Sequence, residues 1–390
     1  MKIYVTGIGI TTAIGLTADE NLKNLIQGNT GIKQSASYNF MLGSIDLTNE
    51  DLLERLEIVD DDFSRTTLLS LLAAKEAFHG NTIDKHIKTG FISATSVGGM
   101  DKTETYYFDN KKNQDHRHFP KMTHDNGGTT DAVAAVLGIS GLVDTISTAC
   151  SSGINSIMYG ARLIQAGKLD RVLVGGCDPL AHFDIMGFDS LSVFDNNLCQ
   201  PFDDSRNGLN LGEGAAFLVI ESEKSMSLSG NTPLCEVTGW SNTTDAFHQT
   251  ASSENGFGAS LAMKKAIEKA GLLPTDISYI NTHGTGTKNN DLSESNAMLE
   301  VFGQNVPPFS STKGYTGHTL AAAGAVEAVF SVQAICNQLL FPNINFETPM
   351  LETGLVPIIT CQENAQINHA LTNSFGFGGN CSSLILSKLN

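Results

Sequence analysis

Short apolar runs alternate along the chain with stretches in which apolar residues recur every three to four positions, the pattern of strands interleaved with helices. Ile3–Gly7, Thr89–Ala94, Asp144–Thr148, Arg171–Gly175 and Ala215–Glu221 predict strands, as do Cys235–Trp240, Tyr279–Thr282, Ala370–Ser374 and Ser382–Ser387. Several are β-branched runs entering Gly or Ser, as central strands buried on both faces tend to be. Helices are predicted over Thr66–Phe78, Ser151–Ala166, Gly258–Ala270, Leu292–Phe302 and Ala321–Gln338. The polar segment Glu223–Thr232 is the best internal boundary, dividing the chain into units 1–227 and 228–390 of similar pattern. The class is α/β.

Composition narrows the function. The 390 residues carry 24 Lys and Arg against 41 Asp and Glu, a net charge of −17. That balance argues against clamping nucleic acid, which needs a basic face. No uninterrupted apolar run reaches the roughly 18 residues of a membrane span, and the N-terminus reaches Gly7 too soon for a signal peptide. The seven Cys are scattered without C-x-x-C spacing, which fits neither a disulfide framework nor a zinc site and suits a reducing cytoplasm.

Three motifs are decoys. Gly7-Ile8-Gly9 follows a strand, but the third position of a dinucleotide fingerprint is Thr12; a tight strand-to-helix turn is expected instead. Gly284-Thr285-Gly286-Thr287-Lys288 lacks phosphate-loop spacing. His116, His118 and His124 have no carboxylate or Cys to complete a metal site and read as a surface loop.

Four small-residue stretches each present a reactive group at a strand end. Ser147-Thr148-Ala149-Cys150-Ser151-Ser152-Gly153 opens a helix, so free N–H groups and the helix dipole are expected to lower the Cys150 pKa and favour a thiolate nucleophile. Asn281-Thr282-His283-Gly284-Thr285 leaves the His283 ring uncovered by its small neighbours. Ser310 to Thr319 brings Lys313 and His318 to a helix N-terminus, which is expected to keep His318 neutral. Asn373-Ser374-Phe375-Gly376-Phe377-Gly378-Gly379-Asn380 reads as a mobile, Phe-plugged gate. Cys177, Cys199, Cys235 and Cys336 lack such a context and read as structural.

These stretches resemble the elongating β-ketoacyl-acyl carrier protein synthases, condensing enzymes of the thiolase superfamily. The likeness runs nearly end to end: V-T-G-I-G-I-T-T-A-I-G (Val5 to Gly15), P-F-D-D-S-R-N-G-L-N-L-G-E-G-A (Pro201 to Ala215), T-D-A-F-H (Thr244 to His248), T-H-G-T-G-T, S-S-T-K-G-Y-T-G-H and S-F-G-F-G-G. The resemblance implies a five-layered αβαβα fold of two similar halves and a decarboxylative Claisen condensation. Cys150 would take an acyl chain from acyl carrier protein as a thioester. His283 and His318 would stabilise the enolate formed from malonyl-carrier protein. Cys150 and Phe377 would supply the second oxyanion hole, with Phe377 as gate and Phe188 in the acyl pocket. Lys313 and Glu327 match the family's supporting charged pair. No cofactor or metal is implied, since the phosphopantetheine arm arrives on the partner. A dimer is implied, either of identical chains or with a chain-length factor that lacks the Cys.

Departures sharpen this reading. Cys381 stands where the family has Asn, placing a second thiol near the gate. The helix start that often carries Lys or Arg toward the carrier reads Val59-Asp60-Asp61-Asp62-Phe63-Ser64-Arg65. An acidic carrier needs a local basic patch, for which Lys111, Lys112, Arg117 and Lys121 are the candidates. Thiolases lack the two His motifs seen here, and initiating synthases use a Cys-His-Asn set. The rival readings are the catalytic subunit of a type II polyketide heterodimer, a malonyl decarboxylase with a poor acyl pocket, and a non-catalytic partner.

Overall fold

The computed structural model describes residues 1–59, 62–113 and 124–389. Ten strands form one hydrogen-bonded ladder: β1 Ile3–Thr12, β2 Thr89–Ala94, β3 Val143–Ile146, β4 Arg171–Asp178, β5 Gly214–Ser222, β6 Cys235–Thr244, β7 Tyr279–Asn281, β8 Phe309–Ser310, β9 His369–Gly376 and β10 Asn380–Ser387. Their order is β8-β7-β9-β10-β6-β1-β5-β4-β2-β3. The halves β3-β2-β4-β5-β1 and β8-β7-β9-β10-β6 have the same order and the same pairing senses. In each, three parallel strands (β3-β2-β4 and β8-β7-β9) are followed by two antiparallel ones. A short antiparallel pairing of Tyr4 with Glu236 and Val5 with Cys235 joins the halves. The internal duplication, invisible in side-chain identities, is written in strand order.

Four helices complete five layers: α1 Arg65–Ala77, α2 Ser152–Gln165, α3 Phe257–Ala270 and α4 Ala323–Asn337. The first packs outside the N-terminal half-sheet and the third outside the C-terminal one, while α2 and α4 lie together between them. That is the thiolase-like arrangement the resemblance implied. Helix α4 is apolar all round because sheets flank it on both sides. With the 3₁₀ turn before it, Leu320–Asn337 is long and apolar enough to cross a membrane by length and composition, yet 89% of it is buried inside the protein. Glu327 and Gln333 interrupt the apolar pattern, so no uninterrupted run marks the segment in the sequence.

One expectation fails here. Gly7 and Gly9 form no turn; β1 runs straight through both. An added Cβ would lie 2.2 Å from the Ala77 carbonyl oxygen at Gly7 and 2.0 Å from that of Ala73 at Gly9. These glycines let the α1 backbone sit directly on the strand, a tertiary requirement that mimics turn chemistry in the sequence.

Candidate functional site

Parallel strands deliver their C-terminal ends to one place, where open α/β sheets present their ligands. From β3 the chain turns through Ser147–Ser151 into α2, with Ala149 in the left-handed region at φ 52°. That conformation is costly for a non-glycine residue. It is held by Ser152 Oγ, which accepts from Thr148 N at 2.7 Å, and by Ser151 Oγ, which donates to Asn380 Oδ1 at 2.6 Å. Ser374 Oγ donates to the Cys150 carbonyl at 2.8 Å. The Cys150 turn is thus stitched to the β9–β10 hairpin.

His318 Nε2 lies 3.1 Å from Cys150 Sγ. The His283 ring stands edge-on to His318, centroids 5.2 Å apart, and against Phe375 at 5.7 Å. All three polar side chains are buried. The backbone N–H groups of Phe377 and of Cys150 itself both act on the sulfur. Lys313 Nζ bonds Glu327 Oε1 and the His283 carbonyl and lies 3.3 Å from His283 Nδ1. An ammonium can only donate, so His283 Nδ1 accepts and its proton resides on Nε2.

The electrostatics correct one expectation. Burial pushes the Cys150 thiol up to about 11, outweighing the Lys313 charge and the two backbone N–H groups. Cys150 therefore rests as a thiol, because desolvation of the thiolate exceeds what a helix start offers. Both histidines are held well below their usual range, first by burial and then by Lys313, with His318 adding to the effect on His283. His318 is thus neutral as expected, though burial rather than a helix terminus is the main cause. Burial raises Glu327 to about 8 against the pull of Lys313.

Cys150, His283, His318 and Phe377 line one cavity that opens to solvent. Its lining includes the apolar Phe188, Val193, Leu209 and Phe375. Gln249, Thr250 and Asn289, all exposed, mark the mouth. Phe377 is partly exposed and stacks on Phe188, centroids 5.7 Å apart. The Phe377 segment is not a loose loop: β9 and β10 pair as far as Gly376 with Asn380, leaving a tight turn between them. Gly378 N donates to Gln249 O and Asp245 N to Gly379 O, each at 2.7 Å. Cys381 lines the same cavity, and burial raises its thiol to about 12.

Of the basic candidates, Lys111 and Lys112 fall in the last turn of the helix Met100–Asn113. Lys111 is exposed, 5.9 Å over the Tyr107 ring. Arg117, Lys121, Asp60 and Asp61 lie outside the described residues, as do His116 and His118. Among the described residues no group of three His, Cys, Asp or Glu could hold a metal ion.

Sequence reasoning missed the buried acids that shape the His loops. Glu294 accepts from His283 N at 2.9 Å, Gly284 N at 2.8 Å and Asn373 Nδ2 at 3.1 Å, and burial raises it to about 7. Asp291 accepts from Thr285 N and Phe202 N. Asp178 accepts from Ala321 N just beyond His318 and from Thr95 and Ser96. A signal existed for the first two: acids three apart on one helix face, with Ser293, Ser295 and Ala297 as small neighbours.

Against known proteins, residues 1–225 match the N-terminal domain model of the beta-ketoacyl synthases and residues 234–347 the C-terminal one. The chain belongs to the β-ketoacyl synthase family. It is 32% identical to 3-oxoacyl-[acyl-carrier-protein] synthase 2 of Staphylococcus aureus, over all of this chain and 98% of that one. To the chloroplastic synthase II of Arabidopsis thaliana it is 33% identical, over 99% of this chain and 75% of that one. Among solved structures, the ishigamide ketosynthase/chain length factor superposes with TM-score 0.93 at 26% identity, covering 100% of this chain and 99% of that one. A ketosynthase in complex with its chain length factor from Xenorhabdus doucetiae gives 0.86 at 31%, covering 100% and 98%.

Proposed function

We propose that this β-ketoacyl synthase extends carrier-bound acyl chains by decarboxylative Claisen condensation, with Cys150, His283 and His318 as its catalytic residues. The observation that carries the reading is the convergence of the Cys150 thiol, two neutral imidazoles and the Phe377 N–H on one partly apolar cavity. In the first half-reaction, Cys150 attacks the acyl-carrier thioester. Its proton passes through His318 Nε2 to the departing carrier thiolate, so the ring ends neutral. The N–H groups of Cys150 and Phe377 hold the oxyanion of the tetrahedral intermediate.

In the second half-reaction, malonyl-carrier protein loses CO₂. The electron pair left behind becomes an enolate whose oxygen is stabilised by N–H groups of His283 and His318. The enolate carbon attacks the acyl carbonyl, the C–S bond to Cys150 breaks, and the thiolate that leaves takes one proton from solvent, which balances the charge of the malonyl carboxylate lost as CO₂. His318 Nε2, facing the Cys150 sulfur, serves both steps, as proton carrier in the first and as N–H donor in the second. His283, with Nδ1 facing Lys313, is fixed as a donor at Nε2. Lys313 and Glu327 orient this donor, and Phe377 with Phe188 gates and shapes the acyl pocket. The phosphopantetheine arm arrives on the carrier and no other cofactor is required. Carrier docking is assigned to the basic side chains Lys111, Lys112, Arg117 and Lys121, and the setting to the cytoplasm.

A second reading places the chain as the catalytic subunit of a heterodimer. The names of the ishigamide and Xenorhabdus neighbours support it, and the intact Cys150 is what such a subunit requires. The apolar part of the cavity lining favours condensation over simple malonyl decarboxylation. The test is intact-protein mass spectrometry of the chain incubated with acyl-carrier proteins of increasing length. A single acyl adduct that disappears in Cys150→Ala supports the reading. No adduct, with or without a chain-length-factor subunit, overturns it.

A further inference from the structure

The acyl cavity borrows one wall from a helix whose N-cap residue offers no capping side chain. Phe188 sits on the helix His182–Ser190, whose N-cap residue is Ala181 and which has no side-chain cap of its own. Asp184, in its first turn, takes its own backbone N–H and leaves those of His182 and Phe183 to another partner. The orphan N–H groups are taken from across the fold: His182 N donates to Glu104 Oε2 at 3.0 Å and Phe183 N to Glu104 Oε1 at 2.5 Å. Glu104 lies on the separate helix Met100–Asn113. A carboxylate at a helix N-terminus satisfies two donors and the helix dipole at once.

Around this contact, Tyr38 Oη lies 2.8 Å from His182 Nδ1, and the His182 ring stands against Phe108 at 5.8 Å. Ile185 anchors the helix in the apolar cluster of Val97, Leu209, Leu211 and Leu320. Phe188 packs on that cluster and on the gate ring of Phe377.

We propose that Glu104 is a positioning residue for acyl-chain selection, its carboxylate docking the helix that carries Phe188 and so fixing one wall of the acyl cavity. The inference rests on the condensing reading above. Glu104 touches no reacting atom and acts through Phe188. Freed at its N-terminus, the helix shifts, and the cavity accepts chains that the fixed wall excludes or loses grip on those it fits.

The experiment measures Cys150 acylation across a series of acyl-carrier proteins by intact-mass spectrometry, with malonyl-carrier decarboxylation as a parallel readout. In Glu104→Ala, the preference between the best and the next-longest chain changes by about fivefold or more, the scale of losing a helix cap. Decarboxylation, which does not use the acyl wall, changes less than about twofold. Glu104→Gln keeps one acceptor oxygen and shows a smaller shift, so it carries the test if the Ala variant does not fold. Adding Ala181→Ser to Glu104→Ala supplies a cap from the helix's own chain and restores the profile. An unchanged chain-length profile, or a uniform loss across all lengths and in decarboxylation, overturns the inference while leaving the condensing reading intact. Absence of any acyl adduct on the parent chain, with or without a chain-length-factor subunit, overturns the condensing reading, and this inference falls with it.

Discussion

His318 Nε2 and Cys150 Sγ face each other across 3.1 Å although 168 residues separate them in the chain. The contact joins a thiol of one half to an imidazole of the other. Replacing His318 or His283 by Ala is expected to lower malonyl decarboxylation by about 10²–10³, the loss typical of one oxyanion donor. Steady-state CO₂ release on purified variants checks this, and rates within threefold of the parent would refute the assigned roles.

The pH response of stability follows from the same burial. Both rings are held well below the ordinary histidine range, so they stay neutral in the fold. Unfolded, they bind protons below about pH 6.5, which drains stability from the native state as pH falls through that value. His318→Asn removes one such group. Its denaturation free energy relative to the parent is expected to improve on going from pH 7 to 5, by about 1.4 kcal/mol per unit at most. A difference independent of pH would show that the ring titrates normally.

Cys150 should label slowly at neutral pH. With a thiol near 11, its alkylation by iodoacetamide is expected to rise about tenfold per pH unit between 7 and 10. Lys313→Ala removes a charge that lowers this thiol, so labelling slows further at each pH. Peptide mapping is needed because the exposed Cys336 reacts independently. A plateau at pH 7 would mean a resting thiolate.

Lys313 and Glu327 are 3% and 2% exposed, so each is the other's replacement for water. Removing one alone, as in Lys313→Ala, strands a buried ionisable group and is expected to cost about 3–5 kcal/mol by urea unfolding. The double replacement Lys313→Met with Glu327→Leu should cost less than the worse single change, the sign of a shared penalty.

Gly376→Ala would set a Cβ 2.9 Å from the Thr148 carbonyl oxygen and 3.2 Å from Cys150 N. The added methyl is expected to push the hairpin off the nucleophile turn and slow acylation by tenfold or more, on the scale of about 1 Å of misplacement. Thermal unfolding should fall only modestly. Wild-type acylation in this variant would place the oxyanion donors elsewhere.

The sequence made parts of this legible for identifiable reasons. Thr89–Ala94 was readable to the residue because all six positions are buried and the run is bounded by charge and polar turn residues. Cys150 stood out through its small, hydroxyl-rich neighbours, which the fold uses to hold Ala149 in its unusual conformation. Its acidity was not legible, since desolvation comes from the C-terminal half closing over it. Gly7 and Gly9 misled because the helix backbone that needs them lies some 60 to 70 residues away. Glu294 and Asp291 were hidden because a buried acid and an exposed one on a helix look alike until the backbone N–H groups they serve are placed.

The repeated strand order carries a last implication. Cys150 leaves β3 for α2, and His318 leaves β8 for α4, which are the same connection in the two halves. His283 and Phe377 likewise follow β7 and β9, the counterparts of β2 and β4. The Cys150 and His318 loops are therefore equivalent positions of a repeated topology, carrying different side chains that meet at the cavity. Since each half supplies only one partner of that 3.1 Å contact, a small rotation of one half against the other would part the two side chains without unfolding either half.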